Sequence, residues 1–405
     1  MHKHTFKPVD GVSNIELFYD LIFVYCISVM TSLCHHVEGG FLDLATWLIF
    51  TFAYLAVLQV WFFTTLFMNR FGERSASDNL FLFVNMFLLY YMASGIQQDW
   101  ASSARTFNLS WALILVNMAV HWELKRHVYD NLDATDLRMI RVTVVTLLAQ
   151  AAIACAAAFL PFMPGVYASW AAVLLGGTVW GWSGTYKAKS ARFSHVAERC
   201  SLLTIIAFGE MVVSLTSYVS DSSNMIYPVL VFVLVVGLFL IYIFEHDNML
   251  DHHHATDGMT YMTITSWLII CLGNITVALE YMTMPEVDLL PKSLYRSCFL
   301  VLYLLTSFAL AHYNKPAFAI SPTYRAGRVG ACVALVVGGV ASGFDPLASL
   351  VIDVAVVYFA LWHEWHLYHS RIGLMAFGCS LGLSHDDMLV GHDLPVAQED
   401  VARRK

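Results

Sequence analysis

The sequence predicts an all-α protein: a polytopic membrane helix bundle with about twelve transmembrane helices. Its composition is 58% hydrophobic and only 13% charged, with a mean hydropathy of +0.63. Soluble chains average about 25% charged residues, so this one lacks the polar surface needed to cover itself in water. Membrane lipids are therefore expected to be much of its solvent.

Mainly apolar runs, most of them roughly 18 residues or longer and so able to cross a ~30 Å hydrocarbon core, recur along the whole chain. The first run lacks a small-residue cleavage motif and is interpreted as a retained helix rather than a signal peptide. The eleventh run is the shortest. The predicted spans are residues 15–34, 43–68, 79–97, 109–124, 137–160, 166–186, 199–217, 225–244, 260–281, 293–312, 328–341 and 347–365.

Basic residues predict the orientation of the spans. Of the 22 Lys and Arg residues, all but Arg105, Lys292 and Arg296 fall on one face when consecutive spans alternate in direction. Lys and Arg accumulate on the cytoplasmic side of membrane proteins. Both termini, residues 1–14 and the tail 370–405, are therefore predicted to be cytoplasmic.

A weak internal repeat relates the first and seventh spans. Residues 13–33 align without a gap to residues 195–215, which places Glu16 over Glu198. One interpretation is a duplication into two six-helix halves, residues 15–186 and 187–369, of parallel topology about an axis along the membrane normal. The other is a chance likeness between two hydrophobic helices.

Carboxylates occur inside several predicted spans. A carboxylate near the membrane centre costs on the order of 2.5–3.5 kcal/mol, so such residues normally face a protein interior or a watery cavity. Glu16 and Asp20 are four residues apart and share one helix face. The candidates for a proton or cation path are Glu16, Asp20, Glu198, Glu210, Glu280 and Asp353.

Two interpretations of these carboxylates stay open. Loss of hydration favours the protonated form, so they are suited to load and release protons across the membrane. Alternatively they are structural, neutralised by Arg141 or Arg199 within the bundle. Glu210, the deepest on the seventh span, is the strongest candidate for a functional role.

The connection 245–258 is acidic, rich in histidine and without Lys or Arg. His252 and His253 with Asp247 are candidate metal ligands there. A solvated loop without metal and a pH-sensing loop are the alternatives. No spaced zinc motif, phosphate loop or nucleophile elbow occurs, so no cofactor is predicted and an ordinary hydrolase or kinase is disfavoured. With a net charge of -8 and no basic block, nucleic acid is not an expected partner.

Two motifs resemble a known family. Residues 16–24, ELFYDLIFV, resemble the E-L-F-F-D-L-V-F-V signature of the bacterial low-temperature-requirement A (LtrA) family. Residues 198–210, ERCSLLTIIAFGE, are similar to its second signature, E-R-F-G-L-F-T-I-I-x-L-G-E, with Cys200-Ser201 in place of Phe-Gly. The resemblance implies a multi-pass protein of the bacterial cytoplasmic (inner) membrane, named for a growth requirement in the cold. The matched motif positions are Glu16, Asp20, Glu198, Arg199 and Glu210.

The leading hypothesis is a proton- or ion-coupled secondary transporter of a small ion or solute. Its cavity would lie between the two halves, lined by Asp20, Glu210, Glu280 and Asp353. One alternative is a non-transporting stress, cold-adaptation or scaffold protein. A second is a membrane-embedded enzyme acting on a lipidic substrate, although no enzyme activity is predicted. The sequence leaves a homo-oligomer open.

Overall fold

The computed structural model describes residues 11–35, 37, 39–183, 192–215, 225–254, 256, 258–342 and 345–380. Most of the two predicted cytoplasmic ends, residues 1–10 and 381–405, lies outside these ranges. Within them the chain is helical and has no strand, apart from an isolated antiparallel bridge between Leu250 and Asn314. The all-α prediction is confirmed.

The described ranges contain twelve long helices, and each predicted span overlaps one of them. In α1 the helical residue Leu21 joins two segments, Asn14–Asp20 and Ile22–Leu33. The helices are α1 (Asn14–Leu33), α2 (Leu44–Phe71), α3 (Ala76–Ser94), α4 (Trp100–Val128), α5 (Ala134–Ala157), α6 (Phe162–Ser183), α7 (Phe193–Ser214), α8 (Ile226–Phe244), α9 (Met259–Glu280), α10 (Leu289–Leu310), α11 (Pro322–Ala341) and α12 (Pro346–Ser380).

Eight of these helices, counted over the described residues, are long and apolar enough to cross a membrane: α1, α2, α5 and α8–α12. The doubtful eleventh span belongs to this set, because its helix begins at Pro322 and not at residue 328. Ser321 caps that start by accepting a hydrogen bond from the amide of Tyr324, and proline is favoured in the first turn. The protein is a membrane protein with several transmembrane helices.

The chain divides into two compact units. Unit 1 is Met1–Thr216 with Ala255–Asp288, and unit 2 is Ser217–His254 with Leu289–Lys405. Helix α9 belongs to unit 1 because its start packs on the start of α7, where the rings of Phe193 and Tyr261 meet edge to face at 5.2 Å. The proposed six-helix halves remain a prediction.

Four helices form the centre of unit 1. In α2 and α9, 83% and 78% of the most apolar stretch is buried, which marks them as central. Helices α1, α7 and α9 run in the same direction and α2 runs against them, as the contacts below show. A Cβ on Gly273 of α9 would clash with the Tyr54 ring of α2, so glycine at this position lets the ring pack against α9.

Candidate functional site

Glu16 occupies the first turn of α1 and forms a capping box with Ser13. The Ser13 hydroxyl accepts from the Glu16 amide at 3.1 Å, and Glu16 Oε1 accepts from the Ser13 amide at 3.2 Å. This arrangement satisfies two amides at the helix start and fixes the glutamate side chain. The second oxygen, Oε2, remains available to another helix.

That helix is α7, whose fully buried Arg199 contacts both acidic residues of α1. Arg199 Nη1 donates to Glu16 Oε2 at 2.8 Å, and Nη2 donates to Asp20 Oδ1 at 2.6 Å. The indole of Trp61 on α2 donates to the same Asp20 oxygen at 3.0 Å, and its ring lies 5.8 Å from the guanidinium carbon. We call Glu16, Asp20, Trp61, His195 and Arg199 the Arg199 cluster.

The charges of the Arg199 cluster are two carboxylates, one guanidinium and one histidine. His195 Nε2 lies 3.4 Å from Glu16 Oε2. Among the described residues, Asp20 Oδ2, Arg199 Nε and His195 Nδ1 are buried without a hydrogen-bond partner. Buried charges are stable only when they are paired, so one proton on this cluster brings it to neutrality.

A second cluster lies where α1, α7 and α9 end, and its centre is Glu210. This glutamate is 2% exposed. The Ser214 hydroxyl donates to its Oε1 at 2.7 Å and that of Thr31 at 3.5 Å. Its Oε2 has no partner in the described part of the chain, and no Arg or Lys there forms an ion pair with it.

Glu280, the last residue of α9, contacts His35 just beyond the end of α1. The distance between His35 Nε2 and Glu280 Oε2 is 2.6 Å. The His35 side chain is 41% exposed, against 8% for Glu280. The hydrogen bond to Glu280 raises the pKa of His35, with partial burial opposing and the charges of Glu280 and Glu210 adding to it. We call Thr31, His35, Glu210, Ser214 and Glu280 the Glu210 cluster.

The two clusters are separated by the same number of residues along α1 as along α7. Asp20 and Thr31 on α1 are eleven residues apart, as are Arg199 and Glu210 on α7, which corresponds to about 16 Å. Helices α1 and α7 are therefore parallel.

Tyr54 of α2, whose buried hydroxyl has no described partner, lies within electrostatic reach of Glu210.

Asp353 belongs to unit 2, where it forms a fully buried ion pair with Arg296 of α10. Arg296 Nε lies 2.5 Å from Asp353 Oδ2, and Ser349 accepts a further bond from the same guanidinium. Arg296 is one of the three basic residues that the sequence assigns to the outer face. Sequence analysis did not select it as a charge partner.

The structure does not bring Glu198 or Arg141 into either cluster. Both side chains are exposed, Glu198 on α7 and Arg141 on α5. In the ranges that the structure describes, neither forms an ion pair with the other candidate carboxylates. Adjacent residues on a helix point about 100° apart, so burial of Arg199 turns Glu198 outward.

The histidine-rich loop shows contacts of an ordinary connection. Asp247, whose side chain is 62% exposed, lies 3.1 Å from His246. The ring of His252 meets that of His246, and the His253 amide donates to Asp251. Burial, followed by the charges of His246 and Lys315, lowers the pKa of His252. No set of three or more His, Cys, Asp or Glu side chains converges as metal ligands among the described residues.

Sequence reasoning missed a buried acidic residue shared by α3 and α4. Asp78 accepts from Lys125 at 2.7 Å and contacts His121 Nε2 at 2.9 Å. His121 and Lys125 are four residues apart, and this spacing on one helix face is the signal that indicates a shared partner. In the sequence alone, Lys125 is only one of the basic residues that predict the orientation of the spans.

A helical membrane protein in which buried carboxylates of the first helix pair with an arginine of the seventh is the class that this fold and site define. The sequence model described as Bacterial low temperature requirement A protein (LtrA) matches residues 11–362. The chain belongs to this family, which confirms the resemblance noted from its two motifs. Neither the curated proteins nor the solved structures yield a match.

Proposed function

We propose that the protein is a proton-coupled secondary transporter of the bacterial inner membrane and that Glu210 is its proton-loading carboxyl. All twelve helices cross the membrane in this proposal, and both termini are cytoplasmic. The observation that supports it is the environment of Glu210, which is buried, has one unpartnered oxygen and forms no ion pair within the described residues. A carboxyl in such a place alternates between a protonated form and a charged form that requires solvent or a cation.

The pair of His35 and Glu280 provides the route by which protons reach Glu210. His35 is the most exposed member of the Glu210 cluster with a titratable side chain, and its imidazole contacts Glu280 directly. Histidine exchanges protons with water near neutral pH. In this account protons enter from the side of the membrane where α1 and α9 end.

The Arg199 cluster is the proposed receiving site at the opposite end of α1 and α7. Its unpartnered Asp20 oxygen and its histidine are groups able to accept a proton. The interval of about 16 Å exceeds one hydrogen bond. Transfer therefore requires a change of helix packing that admits water beside Tyr54, and this change is the step coupled to movement of the small ion or solute.

Proton flux into liposomes tests the proposal. The purified protein in pH-clamped liposomes is expected to conduct protons when its substrate gradient is imposed, with a panel of small ions and solutes as the probe. Glu210→Gln is expected to abolish this flux, because the amide cannot bind a proton at this position. Glu198→Gln is the matched control, because its carboxylate is on the same helix and exposed. Normal flux in Glu210→Gln removes Glu210 from the mechanism.

The ion pairs favour a second candidate, a non-transporting scaffold or stress-adaptation protein. Arg199 with Asp20, Arg296 with Asp353 and Arg328 with Glu364 are direct buried pairs of the kind that fix helix positions. In this candidate Glu210 only holds α1 to α7 through Thr31. It predicts folded protein with no flux for any solute in the panel, and it assigns no enzymatic reaction to the chain.

A further inference from the structure

Unit 2 contains a buried acidic site that involves none of the candidate residues above. Glu245 begins a π-helical turn, Glu245–Met249, directly after α8, and it is 5% exposed. Its Oε2 accepts from the Ser307 hydroxyl at 3.1 Å and its Oε1 from the Asn314 amide at 3.3 Å. π-helical turns are rare and are frequently found at functional sites.

A second carboxylate, Glu364 of α12, shares the site and is fully buried. Its Oε2 accepts from Arg328 Nη2 at 2.7 Å, and the same nitrogen contacts the Tyr324 hydroxyl at 3.1 Å. The charges of Glu245 and Glu364 act on each other and on Arg328. We call Glu245, Glu364, Arg328, Ser307 and Asn314 the Glu245 site.

The charges of the Glu245 site do not balance. Two carboxylates face one guanidinium, and no Lys or His forms an ion pair with either carboxylate in the described part of unit 2. The ammonium of Lys315 donates instead to the main-chain oxygen of Asn248 at 3.2 Å. Within the described residues, other titratable groups also lie near the site: Tyr242 of α8, Tyr303 of α10, Tyr324 and Cys332 of α11, His363 of α12 and His246 of the π-turn.

Several polar atoms of the site also have no hydrogen-bond partner among the described residues, including the donors Nε and Nη1 of Arg328. Glu364 Oε1 and Asn314 Oδ1 are buried acceptors without a partner among the described residues. Leaving a buried acceptor unsatisfied costs about 1–3 kcal/mol, and an unpaired buried charge costs more. One added proton removes the excess negative charge, and the hydroxyl that it forms can donate to one of these two acceptors.

We propose that Glu245 and Glu364 together bind one proton from water, held on Glu245, as a second proton site of the molecule. Glu364 remains ionised because it pairs directly with Arg328, and the Glu245 hydroxyl donates to a neighbouring acceptor. The Arg199 cluster of unit 1 has the same ratio of two carboxylates to one guanidinium, but a histidine, His195, also lies beside a carboxylate there. The inference does not depend on transport activity.

Infrared spectra of the protein in lipid nanodiscs test this site. At neutral pH the wild type is expected to show the carbonyl stretch of a protonated carboxyl, and Glu245→Gln is expected to lose the intensity of one such group. Glu364→Gln also leaves one carboxylate per guanidinium, so it is expected to lose the same intensity. Asp247→Asn removes an exposed acid two residues away and is expected to retain the wild-type band.

Glu210→Gln, measured in parallel, separates the two units. If it loses a protonated carboxyl while Glu245→Gln and Glu364→Gln keep the wild-type spectrum, the proposed proton site in unit 2 is wrong and the role of Glu210 stands. If the wild-type spectrum shows no protonated carboxyl, the proposed proton on Glu245 is wrong. This result does not require any variant to fold. Loss of one carboxyl band in both unit 2 variants, with Asp247→Asn unchanged, supports the proposed site.

Discussion

Arg199 explains why two acidic residues occur four positions apart on α1. Glu16 and Asp20 lie one above the other on the same face of the helix, so the planar fork of one guanidinium reaches both. Trp61 adds a donor to Asp20 from a third helix. At the residue scale, Arg199 is the side chain that holds the start of α1 against α7, and Asp20 in turn joins both to the middle of α2.

Replacement of Arg199 by glutamine is expected to destabilise the protein by about 3–5 kcal/mol, the usual cost of leaving a buried charge without its partner. The thermal midpoint of the purified protein in detergent measures this loss. Arg141→Gln is the matched control, because that arginine is exposed on α5 and its removal is expected to change stability by no more than about 0.5 kcal/mol.

A compensated variant separates charge from packing. Glu16→Gln and Asp20→Asn in the Arg199→Gln background leave no uncompensated charge among these three residues, so they are expected to restore much of the lost stability. An unchanged thermal midpoint in Arg199→Gln alone contradicts the assigned role of the guanidinium.

The parallel direction of α1, α7 and α9 produces two clusters at opposite ends of the same helices. The N-terminal parts of α1 and α7 meet at Glu16 and Arg199, and their C-terminal parts meet at Thr31 and Glu210. Beyond α1, His35 reaches the end of α9 at Glu280. At the element scale, the spacing along each helix fixes the separation of the two clusters.

The contact between α1 and α9 is expected to make stability depend on pH. The pKa of His35 is raised in the folded protein, chiefly by the hydrogen bond to Glu280, so the folded state binds the proton more tightly than the unfolded state. This stabilisation is complete below the unfolded pKa of about 6.5 and is lost as the pH rises through the higher folded pKa. His35→Gln is expected to remove this dependence.

Thermal midpoints measured across neutral pH check this prediction. The difference between wild type and His35→Gln is expected to be largest on the acid side and to vanish on the alkaline side. His253→Gln, at an exposed histidine of the loop after α8, is the control that keeps the wild-type profile. A wild-type midpoint that rises with pH through the titration of His35 has the wrong sign for this contact.

The helices could be predicted from hydropathy, but the choice between their two candidate arginine partners could not. Each predicted span overlaps a helix. The largest boundary errors are the start of α4, at Trp100 and not 109, and the end of α12, at Ser380 and not 365. Whether Arg199 or Arg141 meets the carboxylates depends on how α7 is rotated about its axis. The sequence predicts that Glu245 lies in a loop, because the apolar run ends there. In the structure the helical backbone continues through Glu245 into the π-turn.

At the scale of the molecule, four helices are too polar or too short in their apolar stretch to identify as membrane spans by composition. Within the described residues, α3, α4, α6 and α7 lie outside the set of eight. Several of their polar residues are buried against a partner on another helix, as Asp78 of α3 is against Lys125 of α4 and Arg199 of α7 is against Asp20 of α1. Polar residues that meet a partner inside the bundle are compatible with a membrane-spanning helix.

The site depends on α7 crossing the membrane, because otherwise Glu210 is not a buried membrane carboxyl. Labelling of single cysteines by a membrane-impermeant maleimide, in a cysteine-free background, tests this most directly. Cysteines in place of the exposed residues Ser194 and Met225, which flank most of α7, are expected to react from opposite sides of the membrane. Reaction of both from the same side would contradict the twelve-span topology and the proposed proton path with it.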